Sequence, residues 1–171
     1  GLFREASVLA VKTARLAQVF VGQEHHVTGK TVHGNVVDFV RLTADAEIEW
    51  MPGVTDGKAK IVMTVTSPDG KTVLTAESGT MDPLTNSAPA KNLTGLTCDL
   101  RSNHVQASLT VENPELWWPN GYGAQALYQV KVELVADDIL DTWEKKMGLR
   151  TITVNTDVME DEVFDEHMTG Q

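Results

Sequence analysis

Ala126-Leu127-Tyr128-Gln129-Val130-Lys131-Val132-Glu133-Leu134 places Ala, Tyr, Val, Val and Leu at alternate positions, with Gln, Lys and Glu between most of them. A period of two belongs to a β-strand with one face buried and the other in water. The phase is forced as well, because the opposite face could enter a core only by burying Lys131 and Glu133. This stretch therefore predicts a strand with Tyr128, Val130, Val132 and Leu134 turned inward.

The same period recurs on both sides. Ala44, Ala46, Ile48 and Trp50 alternate with Asp45, Glu47 and Glu49, and Val105, Ala107, Leu109 and Val111 alternate with Gln106, Ser108 and Thr110. Ile61 to Thr66 and Lys71 to Thr75 are β-branched runs around Ser67-Pro68-Asp69-Gly70. There proline presets a turn φ and glycine takes the positive φ that closes a hairpin. Ala14 to Val21 is a further strand candidate. Helix is locally possible over Glu5 to Phe20, but Val8, Val11, Val19 and Val21 count against it. Ile139 to Lys145 and then Leu149 to Val154 complete the set. Seven or eight short strands without a long amphipathic helix predict an all-β fold, an immunoglobulin-like antiparallel two-sheet sandwich. The stretch Glu77 to Asn103, with Gly79, Pro83, Pro89 and Gly95 among many Ser, Thr and Asn, is its long connection.

A chain of 171 residues, 42% hydrophobic and 22% charged, is sized for one core and is neither disordered nor low-complexity in composition. Its 24 acidic against 14 basic residues, a net charge of −10, would repel a phosphate backbone, so no nucleic-acid partner is expected. The longest apolar runs, such as Val19 to Val21, fall far short of the roughly 20 residues of a membrane span, so no membrane partner is expected either. Cys98 has no second cysteine to pair with and leaves the compartment open, a periplasmic or secreted bacterial setting being among those it fits. Gly1 is not an initiator methionine and no targeting peptide follows it, which reads as a piece of a longer chain. The acidic stretch Met159 to Glu166 reads as a solvated tail.

The segment Asn113-Pro114-Glu115-Leu116-Trp117-Trp118-Pro119-Asn120-Gly121-Tyr122-Gly123 is where binding chemistry could lie. It gathers Trp117, Trp118 and Tyr122 in a loop that prolines and glycines keep out of regular structure. An indole offers a flat apolar face to a pyranose ring and an N–H for an acceptor. The same indoles could instead plug the end of the sandwich or dock on a neighbouring domain. His25 and His26 are adjacent, so on a strand they face opposite ways and cannot share a metal. Asp165, Glu166 and His167 form only a chance-like cluster in the tail. Asn92-Leu93-Thr94 is a formal glycosylation sequon. No nucleophile elbow, phosphate loop or Cys-His pair is present, so no cofactor, metal site or catalytic residue is expected.

Pro114-Glu115-Leu116-Trp117-Trp118-Pro119-Asn120-Gly121-Tyr122-Gly123-Ala124-Gln125-Ala126-Leu127-Tyr128, followed farther on by Met147-Gly148-Leu149-Arg150-Thr151-Ile152, resembles the immunoglobulin-like sandwich domain of glycoside hydrolase family 2. The version is that of β-mannosidases and exo-β-glucosaminidases, whose pattern reads roughly "nPeLWWPnGyGxqxLY" and then "GfRt". Leu149 stands where that family usually has phenylalanine. Gly1-Leu2-Phe3-Arg4-Glu5 is similar to the sequence that closes the family's sugar-binding domain. The resemblance implies residues 1–12 as a connector from that domain, 13–156 as the sandwich, and 157–171 as an acidic tail toward a catalytic barrel. It also implies that the two glutamates of a retaining mechanism, about 5 to 5.5 Å apart, sit on that barrel and not in this chain. The partners implied are the neighbouring domains of the same polypeptide and, through the parent enzyme, a β-linked oligosaccharide. Trp117, Trp118, Asn120 and Tyr122 would then contact the substrate rim or the barrel. The alternative is a free-standing carbohydrate-binding or adhesion module whose aromatic loop is its own site.

Overall fold

The computed structural model describes residues 10–31, 34–55, 57–81, 83 and 103–152. Among them are seven strands and no helix: β1 (Ala14–Thr31), β2 (Gly34–Trp50), β3 (Lys60–Thr66), β4 (Val73–Glu77), β5 (His104–Glu112), β6 (Tyr128–Val135) and β7 (Ile139–Met147). They form two antiparallel sheets, one in the order β1-β2-β5 and the other β4-β3-β6-β7. This is the two-sheet sandwich expected from the alternation.

The core follows from that alternation. Tyr128, Val130, Val132 and Leu134 are all buried, and their neighbours on β3, Ile61, Met63 and Val65, are buried beside them. From the other sheet come Val40, Leu42, Ala44, Ala46 and Ile48 of β2 with Ala107 and Val111 of β5. The small Ala44, Ala46 and Ala107 of the three-stranded sheet and the larger Met63, Val132 and Leu134 of the other belong to one buried cluster. Lys131 instead reaches Glu133 at 2.7 Å on the outer face.

The turn between β3 and β4 forms as its residues dictate. Gly70 N–H donates to Ser67 O at 2.9 Å, with Pro68 and Asp69 central and Gly70 at φ +73°. Its strand begins later than expected, at Val73 rather than Lys71, because Asp69 and Ser67 side chains accept the N–H groups of Lys71 and Thr72.

Two strands run well beyond their predicted limits. β1 continues past Val21 to Thr31, and β2 begins at Gly34, ahead of Ala44. β5 pairs with β2 only from Phe39 to Glu47, so the far end of the β1–β2 hairpin extends as a two-stranded arm. Bulges at Leu16/Gln18 and around Val27 let β1 change face along this length. At the first bulge the Leu16 N–H has no ladder partner and donates to Asp141 Oδ2 of β7 at 2.9 Å, tying the edges of the two sheets together. From Ala14 onward the locally possible helix is strand, since this residue row pairs with β2 and buries Ala14 and Val21.

Leu149 to Val154 does not form the final strand read from its β-branched residues. Over 149–152 the chain is irregular, with Leu149 O and the Arg150 N–H bonded to Trp117 and Gln23. Residues 153–154, the tail from Met159, Cys98, the Asn92 sequon, Glu5 to Leu9 and most of the Glu77 to Asn103 connection lie outside the described residues.

Candidate functional site

The aromatic segment is the crossover from β5 in one sheet to β6 in the other. A chain that must span a sandwich about 10 Å thick necessarily closes one end of it. Asn113, at φ +45°, turns the chain out of β5, a conformation asparagine tolerates better than most residues. Its N–H still donates to Asp38 O at 2.8 Å. Glu115 N–H then donates to the Tyr128 hydroxyl at 2.9 Å, so the first residue of β6 also anchors the crossover. Burial raises the pKa of that phenol above its ordinary value, which keeps the hydroxyl neutral.

Trp117 and Trp118 are each seated on a glycine. A Cβ on Gly148 would lie 2.7 Å from Trp117 Cβ and Cγ, and one on Gly123 would lie 2.8 Å from Trp118 Cγ, so neither glycine can carry a side chain without displacing an indole. Trp117 N–H donates to Leu149 O at 3.1 Å and Trp118 N–H to Ala124 O at 2.9 Å. Beyond them Tyr122 N–H donates to Pro119 O at 3.0 Å around Asn120 and Gly121, with Gly121 at φ +86° as a type II turn requires. Both indoles are half-buried, whereas Asn120 is exposed and Tyr122 is 78% exposed at the loop tip. The four candidate residues thus divide into two seated rings and two exposed tip residues.

The structure adds residues not singled out from sequence as binding residues. Arg150 places its guanidinium carbon 3.9 Å from the centre of the Trp118 ring, a cation–π stack. Gln23 of β1 holds this segment in place: its Nε2 donates to Gly148 O at 3.1 Å and its Oε1 accepts the Arg150 N–H at 3.2 Å. One side-chain amide thereby takes the two bonds that a neighbouring strand would otherwise make. With Leu149 O taken by the Trp117 N–H, three backbone groups between 148 and 150 are bonded outside any strand, and the segment is irregular.

His25 Nε2–H donates to the same Gln23 Oε1 at 3.0 Å. Burial, and then the charge of Arg150, lower its pKa below the ordinary 6.5, so the ring is neutral near pH 7. His26 points to the opposite face and stacks on Phe39 with ring centroids 4.5 Å apart. Between the arm and the crossover, His25, Val27, Val37, Leu116, Arg150 and Thr151 line a cleft of about 290 Å³. The sequence signal for this cleft was the break in apolar alternation at Gln23-Glu24-His25-His26, where β1 leaves the core yet remains strand.

Residues 23–150 match the family model described as glycosyl hydrolases family 2. A β-mannosidase B of Aspergillus clavatus is 48% identical over 51 residues, which is 29% of this chain and 6% of that protein. One from Thermothelomyces thermophilus is 42% identical over 53 residues, 30% of this chain and 6% of its own length. These matches therefore span only a small part of the curated relatives. Among solved structures, a putative β-galactosidase from Bacteroides fragilis superposes with TM-score 0.56 at 14% identity, covering 84% of this chain and 19% of that one. Bacteroides uniformis β-glucuronidase 2 superposes with TM-score 0.53 at 16% identity, covering 82% and 15%. At such identities these two share the fold. The family model reaches from the middle of β1 to Arg150 and takes in both sheets, the aromatic crossover and the glycine on which Trp117 rests, and by that match the chain belongs to glycosyl hydrolases family 2.

Proposed function

We propose that this chain is a non-catalytic accessory domain of a β-mannosidase-like exo-β-glycosidase. In this reading residues 13–156 form the sandwich, 1–12 connect it to a sugar-binding domain, and 157–171 lead toward a catalytic barrel. The sandwich holds the sugar-binding domain against the barrel, and its aromatic end faces the barrel near the rim of the active site. The observation that carries the reading is the arrangement of that end. Trp117 and Trp118 are fixed by Gly148, Gly123 and Arg150 while Asn120 and Tyr122 project outward, an immobilised aromatic base with an exposed tip. A surface prepared in this way loses little side-chain entropy on docking. Retaining hydrolysis needs a pair of carboxyl groups about 5 to 5.5 Å apart, which the reading assigns to the barrel.

The test is kinetic, in the full-length enzyme that carries this domain. Trp118→Ala should lower kcat/KM or weaken domain docking at a cost of roughly 1 to 3 kcal/mol, the range for an aromatic anchor. The 171-residue chain alone should neither hydrolyse nitrophenyl mannoside nor bind mannose at millimolar concentration, since one stacked ring contributes only on the order of 1 kcal/mol. Tight quenching of the isolated chain by mannose, with parent kinetics unaltered by the mutation, would establish the free-standing carbohydrate-binding module instead.

A further inference from the structure

The Arg150 cleft has a chemistry that the aromatic loop does not explain. Among the described residues three are arginines, and two of them are spoken for: Arg15 pairs with Glu49 at 2.5 Å and Arg41 with Glu24 at 3.3 Å. Arg150 makes no ion pair or side-chain hydrogen bond among the described residues, although the chain carries a net charge of −10. Its guanidinium lies against Trp118, and Arg150 lines the cleft beside His25, close enough for its charge to act on that ring. A stacked guanidinium is already oriented, and its planar fork matches the two oxygens of a carboxylate. Val27, Val37 and Leu116 line the cleft with Arg150 and offer an aliphatic neighbour of that carboxylate a surface to pack on. Neutral His25 adds no second charge.

Resting on the docking reading above, we propose that this cleft receives one carboxylate side chain from the docked protein surface, an aspartate or glutamate beside an aliphatic residue, with Arg150 as its anchor. At about 290 Å³ the cleft sits at the lower limit for ligand pockets, room for one or two side chains and not for an oligosaccharide. The cation selects the acid, and the Val27–Val37–Leu116 wall selects its aliphatic neighbour.

The experiment uses the full 171-residue chain, isotope-labelled, with NMR signals of Arg150 Nε–H and Trp118 Nε1–H as reporters. N-acetyl-Leu-Glu-amide should shift both saturably at millimolar concentration. N-acetyl-Leu-Gln-amide should bind about tenfold more weakly, the loss of a charge-assisted pair. Arg150→Gln should abolish the Trp118 response to the Glu peptide. Val37→Asp, at the half-exposed cleft wall, should do so with Arg150 still present, by supplying the carboxylate in cis. Equal shifts with the Gln peptide, no shift with either, or an unchanged titration in both variants would overturn the proposal. So would glucuronate saturating the cleft below the Glu peptide's concentration, which would make it a small-molecule acid site. Loss of parent activity in Trp118→Ala without any response to the Glu peptide would reject the anchor and leave the docking end standing.

Discussion

Gly148→Ala is the sharpest single test of how the aromatic end is built. The added Cβ would sit 2.7 Å from both Cβ and Cγ of Trp117, where carbon atoms normally keep about 3.5 to 4.0 Å. The clash falls on the base of the Trp117 side chain, so rotating the indole about its outer bonds cannot relieve it. Relief requires Trp117 or the 148–150 backbone to move by most of an ångström. Overpacking of this kind costs about 1 to 3 kcal/mol. The shift also stretches the Trp117 N–H to Leu149 O bond, already 3.1 Å, past useful length, and losing a backbone hydrogen bond adds about 0.5 to 1.5 kcal/mol. The sum is about 1.5 to 4.5 kcal/mol, and at about 2 to 4 °C per kcal/mol for a protein of this size Tm should fall by about 3 to 18 °C. Thermal denaturation followed by circular dichroism gives the shift, and tryptophan emission should move to the red as Trp117 gains water. Gly79→Ala is the control, since its Cβ would meet nothing within 4 Å. It should leave Tm nearly unchanged. A Gly148→Ala protein that melts with the wild type and keeps its emission spectrum would refute the seating of Trp117 on Gly148.

Val132→Asp should unfold the domain, because the site is fully buried and an unpaired carboxylate there costs several kcal/mol on top of about 1.5 to 3 kcal/mol of lost apolar burial. Lys131→Asp on the opposite face loses an ion pair with Glu133 and should remain folded, so equal thermal melts for the two would mean the strand register is wrong. Asp69 should make the fold acid-sensitive: the Ser67 hydroxyl foremost, then the Lys71 N–H and ammonium, lower its pKa from 3.8 to about 2. Because the folded value is the lower one, this contribution is complete above pH 3.8 and is lost as pH falls toward 2. Urea midpoints for wild type and Asp69→Asn should therefore differ by a constant amount at neutral pH and converge across that window. A difference that stays flat through it would show that the turn bonds are not formed in solution.

The strand positions that form the core were legible because alternation is a property of neighbours along the chain. Tyr128 to Leu134 and Ala44 to Ile48 could bury only one face without burying charge, and that face is the one inside. The Ser67 to Gly70 turn was legible for the same local reason. The extension of β1 to Thr31 was hidden, since Gln23 and His25 stand where apolar residues would continue the pattern and serve the cleft instead of the core.

What the sequence determined by itself is local: strand phase, turn chemistry, and an aromatic loop held irregular by Pro114, Pro119, Gly121 and Gly123. The tertiary structure alone decided which distant segments meet. Gln23 and Arg150 are 127 positions apart and become partners only when β1 and the end of β7 come together at one end of the sandwich. There the Gln23 amide bonds Gly148 O and the Arg150 N–H, and the Trp117 N–H bonds Leu149 O, where a neighbouring strand would otherwise pair. Propensity favoured a strand over Leu149 to Ile152, but buried backbone groups pair with whatever the tertiary fold brings to them, here a side chain and the aromatic crossover.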